Sequence, residues 1–198
     1  MNLEIVESEL KSAELLLRKY KNNVTIFGSA RTSKDDVLSV EARKLGKLLS
    51  DKGFNVLTGG GPGIMESANQ GALEGKSASI GLNISLEHEQ HPNPYLDEVI
   101  SFNHFFTRKY SMMNYSVACV CFPGGFGTGD ELLEILTLIQ TKKIQNVNVF
   151  LYGTEFWQPL ITWFESLEKI DYVNSDYLDY LYFVDDVNEI VNEIVERS

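Results

Sequence analysis

The sequence predicts an α/β fold, a Rossmann-like open parallel β-sheet flanked by helices on both faces. Two observations carry that prediction. Short β-branched runs alternate with segments of helical period along the whole chain, the pattern of βαβ units. Glycine-rich stretches stand directly after three of the strand segments, at the carboxyl edge where such sheets place their ligands. The 198 residues fit one domain, 1–198, in which 1–22 is an N-terminal helical extension and 23–198 the core.

The elements follow in order. An amphipathic helix is expected near Glu9–Tyr20, then a strand at Val24–Gly28. Leu38, Ala42, Leu45 and Leu49 recur at spacings of 4, 3 and 4, one face of a helix. Phe54–Thr58 reads as a strand, and the glycine turn after it opens a helix over Pro62–Glu74, with Pro62 suited to the first turn. Strands are expected at Ser79–Asn83 and Glu98–Phe102, then a helix over Phe105–Tyr115. Ala118–Phe122 is a buried strand running into Pro-Gly-Gly, and Glu131–Thr141 is apolar on most sides, a helix expected to lie deep. A strand at Val147–Leu151, a helix near Phe156–Leu167, a strand at Leu181–Val184 and a terminal helix complete the chain.

Composition excludes several classes. The chain is 43% hydrophobic and 23% charged, a globular balance. Seventeen basic against 28 acidic residues give a net charge of −11, which argues against a nucleic-acid partner. Residues 165–198 alone carry −8 of it, most simply as a solvated face, which leaves the rest nearly neutral. No apolar run approaches membrane-spanning length and the N-terminus is acidic, so no membrane partner and a cytoplasmic location are expected. Cys119 and Cys121 fall on one side of a strand, poorly placed to bond to each other, and read as buried hydrophobes.

Three segments at the predicted ligand edge are candidates: 28–31 with Gly28 and Ser29, 58–63 with Gly60 and Gly61, and 123–131. The second is neither G-x-G-x-x-G nor a P-loop, having the wrong glycine spacing and no lysine. In the third, Gly124, Gly125 and Gly127 allow an anion to approach backbone amides, Thr128 offers a hydroxyl, and Glu131 faces whatever the loop holds. Thr128-x-x-Glu131 also fits a capping box, in which Glu131 would fold back on its own helix. Arg108 and Lys109 lie on a helix rich in aromatics and methionine, just before the strand that delivers this loop. Basic residues there are ordinarily solvated or paired with acid, and Phe102, Phe105, Phe106, Met112 and Met113 ordinarily core or subunit interface. His88 and His91 lack a third ligand at a recognisable spacing, so no metal site is expected.

GGGPGIMESANQGA, EQHPNPY, FFTRK and PGGFGTGDE, in that order, resemble the LOG ("lonely guy") family of nucleoside-monophosphate phosphoribohydrolases, on its longer bacterial branch. The similarity runs from about Val24 to Asp186. The resemblance implies that Arg108 and Glu131 are the catalytic pair, with Lys109 beside them. It implies that Gly125, Phe126, Gly127, Thr128, Gly129 and Asp130 form the 5′-phosphate loop, that Thr137 lies close, and that Glu89 contacts substrate. It further implies a homodimer with the site near the subunit interface, a nucleoside monophosphate as small-molecule partner, and no cofactor. Members have carried an older lysine decarboxylase label, and nothing in the residues points to a pyridoxal site. One departure is visible, because Gly129 replaces the leucine usual in G-T-L-x-E. The implied reaction is hydrolysis of the N-glycosidic bond of a purine 5′-monophosphate, the base being adenine or a cytokinin-type adenine. The alternative is a non-catalytic module that binds a nucleotide or phosphate-bearing cofactor.

Overall fold

A computed structural model describes residues 2–85, 91–144 and 147–197. The elements are α1 (Leu3–Leu17), β1 (Asn23–Phe27), α2 (Val37–Asp51), β2 (Asn55–Thr58), α3 (Ile64–Leu73), β3 (Ser79–Ile84), β4 (Glu98–Phe102), α4 (Phe105–Asn114), β5 (Ser116–Cys121), α5 (Phe126–Gln140), β6 (Asn148–Tyr152), α6 (Thr154–Glu168), a 3₁₀ turn at Ser175–Asp179, β7 (Leu181–Val184) and α7 (Val187–Glu196). The strands form one sheet in the order β4-β3-β2-β1-β5-β6-β7, with every pairing parallel. The expected α/β architecture is therefore the observed one.

Strand pleating sorts the core into two layers, because successive side chains point to opposite faces. Phe27, Leu57, Leu82, Cys119, Cys121 and Leu151 enter one layer with Leu17 of α1, Met112 of α4, Leu132 of α5 and Trp157 of α6. Val24, Ile26, Val56, Val120 and Phe150 enter the other with Leu45 of α2, Ala68 of α3 and Ile190 of α7. Both cysteines are free thiols and fully buried, on one side of β5 as expected, and burial pushes the Cys119 thiol up to about 12.

The chain steps outward from β1 to β4, then returns through α4 to β5, which lies against the other side of β1. Strand order reverses between β1 and β5, and open α/β sheets place their ligands beyond the carboxyl ends of the strands at such a point. Arg108 and Glu131, expected as a pair, meet at that edge of the sheet.

Helix boundaries differ from expectation in three informative places. Helix α1 starts at Leu3, six residues before the expected start, because the Asn2 side chain accepts from the Glu4 amide at 3.0 Å and caps a turn that lacks an apolar stripe. Pro62 sits outside α3, whose N-cap is Gly63 at φ 68°. Helix α5 begins at Phe126 rather than Glu131, with Gly125 as N-cap, so most of the glycine-rich loop is its first turn. Nor is α5 as deep as its composition implies. Thr128, Glu131, Leu132 and Ile135 are buried, whereas Leu133 is 41% exposed and Phe126 fully so.

Helices α2 and α3 meet backbone to backbone through two glycines. A Cβ on Gly46 would lie 2.1 Å from the Ala68 carbonyl oxygen, and one on Gly71 would lie 1.8 Å from the Arg43 carbonyl oxygen. The atoms in the way are main chain, so neither can swing aside. Gly71→Ala gains about 1 kcal/mol of helix propensity and loses more to overpacking, on the order of 1–3 kcal/mol or above. We expect net destabilisation in urea titrations, despite the better helix former.

Candidate active site

Three loops close on one another at this edge of the sheet. The Ser29 amide donates to the Pro123 carbonyl at 3.1 Å, and the Ser29 carbonyl accepts from the Ile64 amide at 3.0 Å. Gly28 packs so tightly that a Cβ would stand 2.6 Å from the Ile64 side chain. The ends of β1 and β5 and the start of α3 are thereby one structure.

The loop after β2 is held from beneath by a buried polar network. Thr58 Oγ1 donates to Asn69 Oδ1 at 2.6 Å and accepts from the Gly60 amide at 2.9 Å. Asn69 Nδ2 donates to Ser79 Oγ at 2.9 Å. Asn93 donates from its amide to the Gly60 carbonyl at 2.8 Å, and from Nδ2 to the Gly61 carbonyl and Asn69 Oδ1, both at 3.0 Å. All four side chains are buried, and each finds a partner, as buried polar groups must. Gly60 and Gly61 are thus buried and tied through their backbone. Gly60, at φ 69°, adopts the left-handed region that favours glycine.

Arg108 enters from α4. Its Nε donates to the Leu82 carbonyl at 2.8 Å, and its Nη2 stands 3.6 Å from Glu131 Oε1. Arg108 is 7% exposed and Glu131 9%. Gly59 makes the room, because a Cβ there would fall 2.2 Å from Arg108 Nη2. Burial pushes the Glu131 carboxyl up from 4.5 to about 7; Arg108 opposes that shift and the Asp130 carboxylate adds to it, with smaller effects from Lys109 and Glu134. Burial also lowers the Arg108 pKa, against the pull of Glu131, although a guanidinium stays charged. The result is a carboxyl poised near neutrality beside a fixed cation.

This geometry overturns the capping-box alternative. Thr128 is the third residue of α5, not its cap, and the helix start has no side-chain cap at all. Glu131 lies in the second turn, with its carboxyl facing Arg108. The first amides of α5, at Phe126, Gly127 and Thr128, precede the first intrahelical bond, from the Gly129 amide to the Gly125 carbonyl, and a helix start of this kind is the usual anion site. Gly125, Gly127 and Gly129 have nothing within 4 Å of a would-be Cβ, whereas a Cβ on Gly124 would strike Thr128.

Lys109 does not point to open solvent. It pairs with Asp130 Oδ2 at 2.7 Å and Glu134 Oε2 at 2.5 Å, pinning α4 to α5. Burial is the largest single influence on its pKa and lowers it, but Asp130 and Glu134 together outweigh burial and leave it raised. Thr137 is not brought to the pair. It lies about two-thirds of a turn round α5 from Glu131, exposed, and donates to the Leu133 carbonyl at 2.7 Å. Glu89 and His88 lie outside the described residues. Among the described residues no three His, Cys, Asp or Glu side chains come together as a metal site.

Sequence reasoning found both members of the pair but not what holds them. Gly59 was legible only as one glycine of three, and the Leu82 carbonyl carries no side-chain signal. Asn69 and Asn93 lay inside recognised motifs, yet nothing in their spacing shows that they meet.

Residues 65–194 match the family described as possible lysine decarboxylases. A pyrimidine/purine nucleotide 5′-monophosphate nucleosidase of Escherichia coli (strain K12) is 31% identical over 144 residues. That match takes in 68% of this chain but 31% of the relative, so the chain spans about a third of that protein's length. The cytokinin riboside 5′-monophosphate phosphoribohydrolase LOG of Oryza sativa subsp. japonica is 26% identical over 180 residues, covering 90% of this chain and 74% of the relative. Among solved structures, a molybdenum cofactor binding protein from Rippkaea orientalis superposes with a TM-score of 0.68 at 21% identity, over 89% of this chain and 96% of that one.

The Glu131 carboxyl makes a prediction about stability. Between pH 4.5 and about 7 the folded protein keeps a proton that the unfolded chain has released, so stability falls as pH rises through that window and levels off above it. Glu131→Gln cannot titrate. The stability of the variant relative to wild type should therefore rise from pH 5 to pH 8, by up to ~3 kcal/mol, in paired denaturant melts.

Proposed function

The chain belongs to the family described as possible lysine decarboxylases, the LOG family, and on that premise we propose that it hydrolyses the N-glycosidic bond of a purine nucleoside 5′-monophosphate. The products are the free base and ribose 5-phosphate. The observation that carries this reading is the buried Arg108–Glu131 pair, 3.6 Å apart beside an uncapped helix start.

Each part has a role in that reaction. The substrate phosphate lies on the amides of Phe126, Gly127 and Thr128, with Gly124 and Gly125 giving it close approach and Gly129 and Asp130 completing the turn. This grip is remote from the reacting carbon, so its binding free energy positions that carbon. Glycosidic cleavage passes through an oxocarbenium-like state, which a carboxylate stabilises. Ionised Glu131 does so and takes a proton from the attacking water, whose oxygen bonds to C1′ as the C1′–N bond breaks. Arg108 offsets the negative charge gathering on the departing base, which takes up in exchange the proton that Glu131 drew from water, so that the carboxylate is restored. Lys109 holds the two helices in register through Asp130 and Glu134. Gly28, Ser29, Gly60 and Gly61 shape the floor.

We also propose a cytoplasmic homodimer acting as one domain per chain. Phe105, Phe106 and Tyr110 of α4 are about half exposed beside Arg108, an apolar surface that a second copy would cover. Thr137, turned away from the pair within one chain, would reach a site only across such an interface.

Incubation with AMP, GMP, CMP and isopentenyladenosine monophosphate, followed by chromatography, identifies any base released. Release from AMP or the prenylated nucleotide is expected. Glu131→Ala and Arg108→Ala should each lower the rate on the order of 10²-fold or more while remaining folded. Wild-type rates should climb with pH through about 7 as Glu131 ionises. The shared fold with a molybdenum cofactor binding protein keeps one other reading in view. Tight nucleotide binding with no base released from any substrate would make the protein a binding module.

A further inference from the structure

Glu9 is the one carboxylate of α1 that is buried, at 6% exposure, and the hydrolase reading gives it no work. All its acceptors are used, and every donor comes from the entry to α4. Oε1 accepts from the Asn103 amide at 2.6 Å and from Asn103 Nδ2 at 3.0 Å. Oε2 accepts from Thr107 Oγ1 at 2.6 Å and pairs with His104 Nδ1 at 3.1 Å. Helix α4 has His104 as N-cap, whose side chain bonds no amide of the first turn, while the Thr107 hydroxyl that faces Glu9 also lies 2.9 Å from the His104 carbonyl. Glu9 reaches no amide of the first turn itself; it ties down the Asn103 amide just ahead of the helix and the side chains of His104 and Thr107, and sets a negative charge at the positive end of the helix. Arg108 stands one turn further on, its amide donating to the His104 carbonyl at 3.3 Å.

We propose that Glu9 is a positioning residue for the hydrolytic site: it anchors the entry to α4 from α1 and so sets where Arg108 meets Glu131. This inference rests on the proposed hydrolase activity only for its kinetic consequence, since the geometry stands without it. A chain of three contacts carries the effect, from Glu9 to the first turn of α4, from that turn to Arg108, and from Arg108 to Glu131. Displacing a catalytic group by about 1 Å can cost ~10²-fold in rate. The phosphate grip lies on α5, which Glu9 does not touch, so substrate affinity should survive.

The test compares Glu9→Ala, Glu9→Gln and Thr107→Val with wild type and with Glu7→Gln, a control on the exposed face of α1 where Glu7 pairs with Lys11. Glu9→Ala is expected to lower kcat about tenfold or more while KM moves less than about threefold. Glu9→Gln, which keeps an oxygen for Asn103, should recover most of that loss, and Glu7→Gln should match wild type. A second readout needs no turnover: the Glu131 carboxyl pKa from NMR of 13C-labelled glutamate, assigned with Glu131→Gln. Arg108, Lys109, Asp130 and Glu134 are the charged groups that act on this carboxyl. If Arg108 moves off, the pKa rises further in Glu9→Ala, whereas a merely structural role leaves it in place. Folded Glu9→Ala with wild-type kcat and an unmoved Glu131 pKa overturns the proposal. If Glu9→Ala does not fold, Thr107→Val decides in the same way. If wild type releases no base at all, the hydrolase reading fails, and the NMR shift alone still decides whether Glu9 places Arg108.

Discussion

The site depends on one desolvated ion pair. Taking a guanidinium and a carboxylate out of water is unfavourable, and their attraction offsets it only when the geometry is good and the remaining donors are satisfied. Here the pair is loose, at 3.6 Å, and the guanidinium turns its Nε to a backbone carbonyl instead. Burial therefore wins over attraction at Glu131. A tighter pair would have fixed the carboxylate as a permanent anion; this spacing leaves it able to take and return a proton near neutral pH.

Keeping two such groups apart by a set distance requires a rigid surround, and the neighbouring loops supply it. The Thr58–Asn69–Ser79–Asn93 network ties the floor to β2, α3 and β3, while Lys109 bolts α4 to α5 through two acids. Networks of this kind are costly unless every member is satisfied. Their completeness here is what lets glycine-rich segments hold one conformation.

How much of this was readable in the chain depends on range. The βαβ alternation and the period of Leu38, Ala42, Leu45 and Leu49 are local signals, and the sheet and α2 follow them. The candidate site residues were legible because their motifs are short and ordered. What failed was the boundary of α5: Gly127 and Gly129 read as loop by propensity, and burial of Thr128, Glu131, Leu132 and Ile135 overrode it. The same error made the capping box plausible. The contacts that set the geometry span long stretches of chain, such as Glu9 with Thr107 and Arg108 with the Leu82 carbonyl, and one sequence carries no trace of them.

The uncapped, doubly glycine-bearing start of α5 has a kinetic side. Each glycine weakens its turn by about 1 kcal/mol relative to alanine, and no side chain closes the end. Such a turn frays readily in the empty protein. A bound anion would serve as the absent cap, so that docking and helix completion become a single event. Ordering then consumes part of the intrinsic affinity, which favours quick release of a bound anion over tight retention.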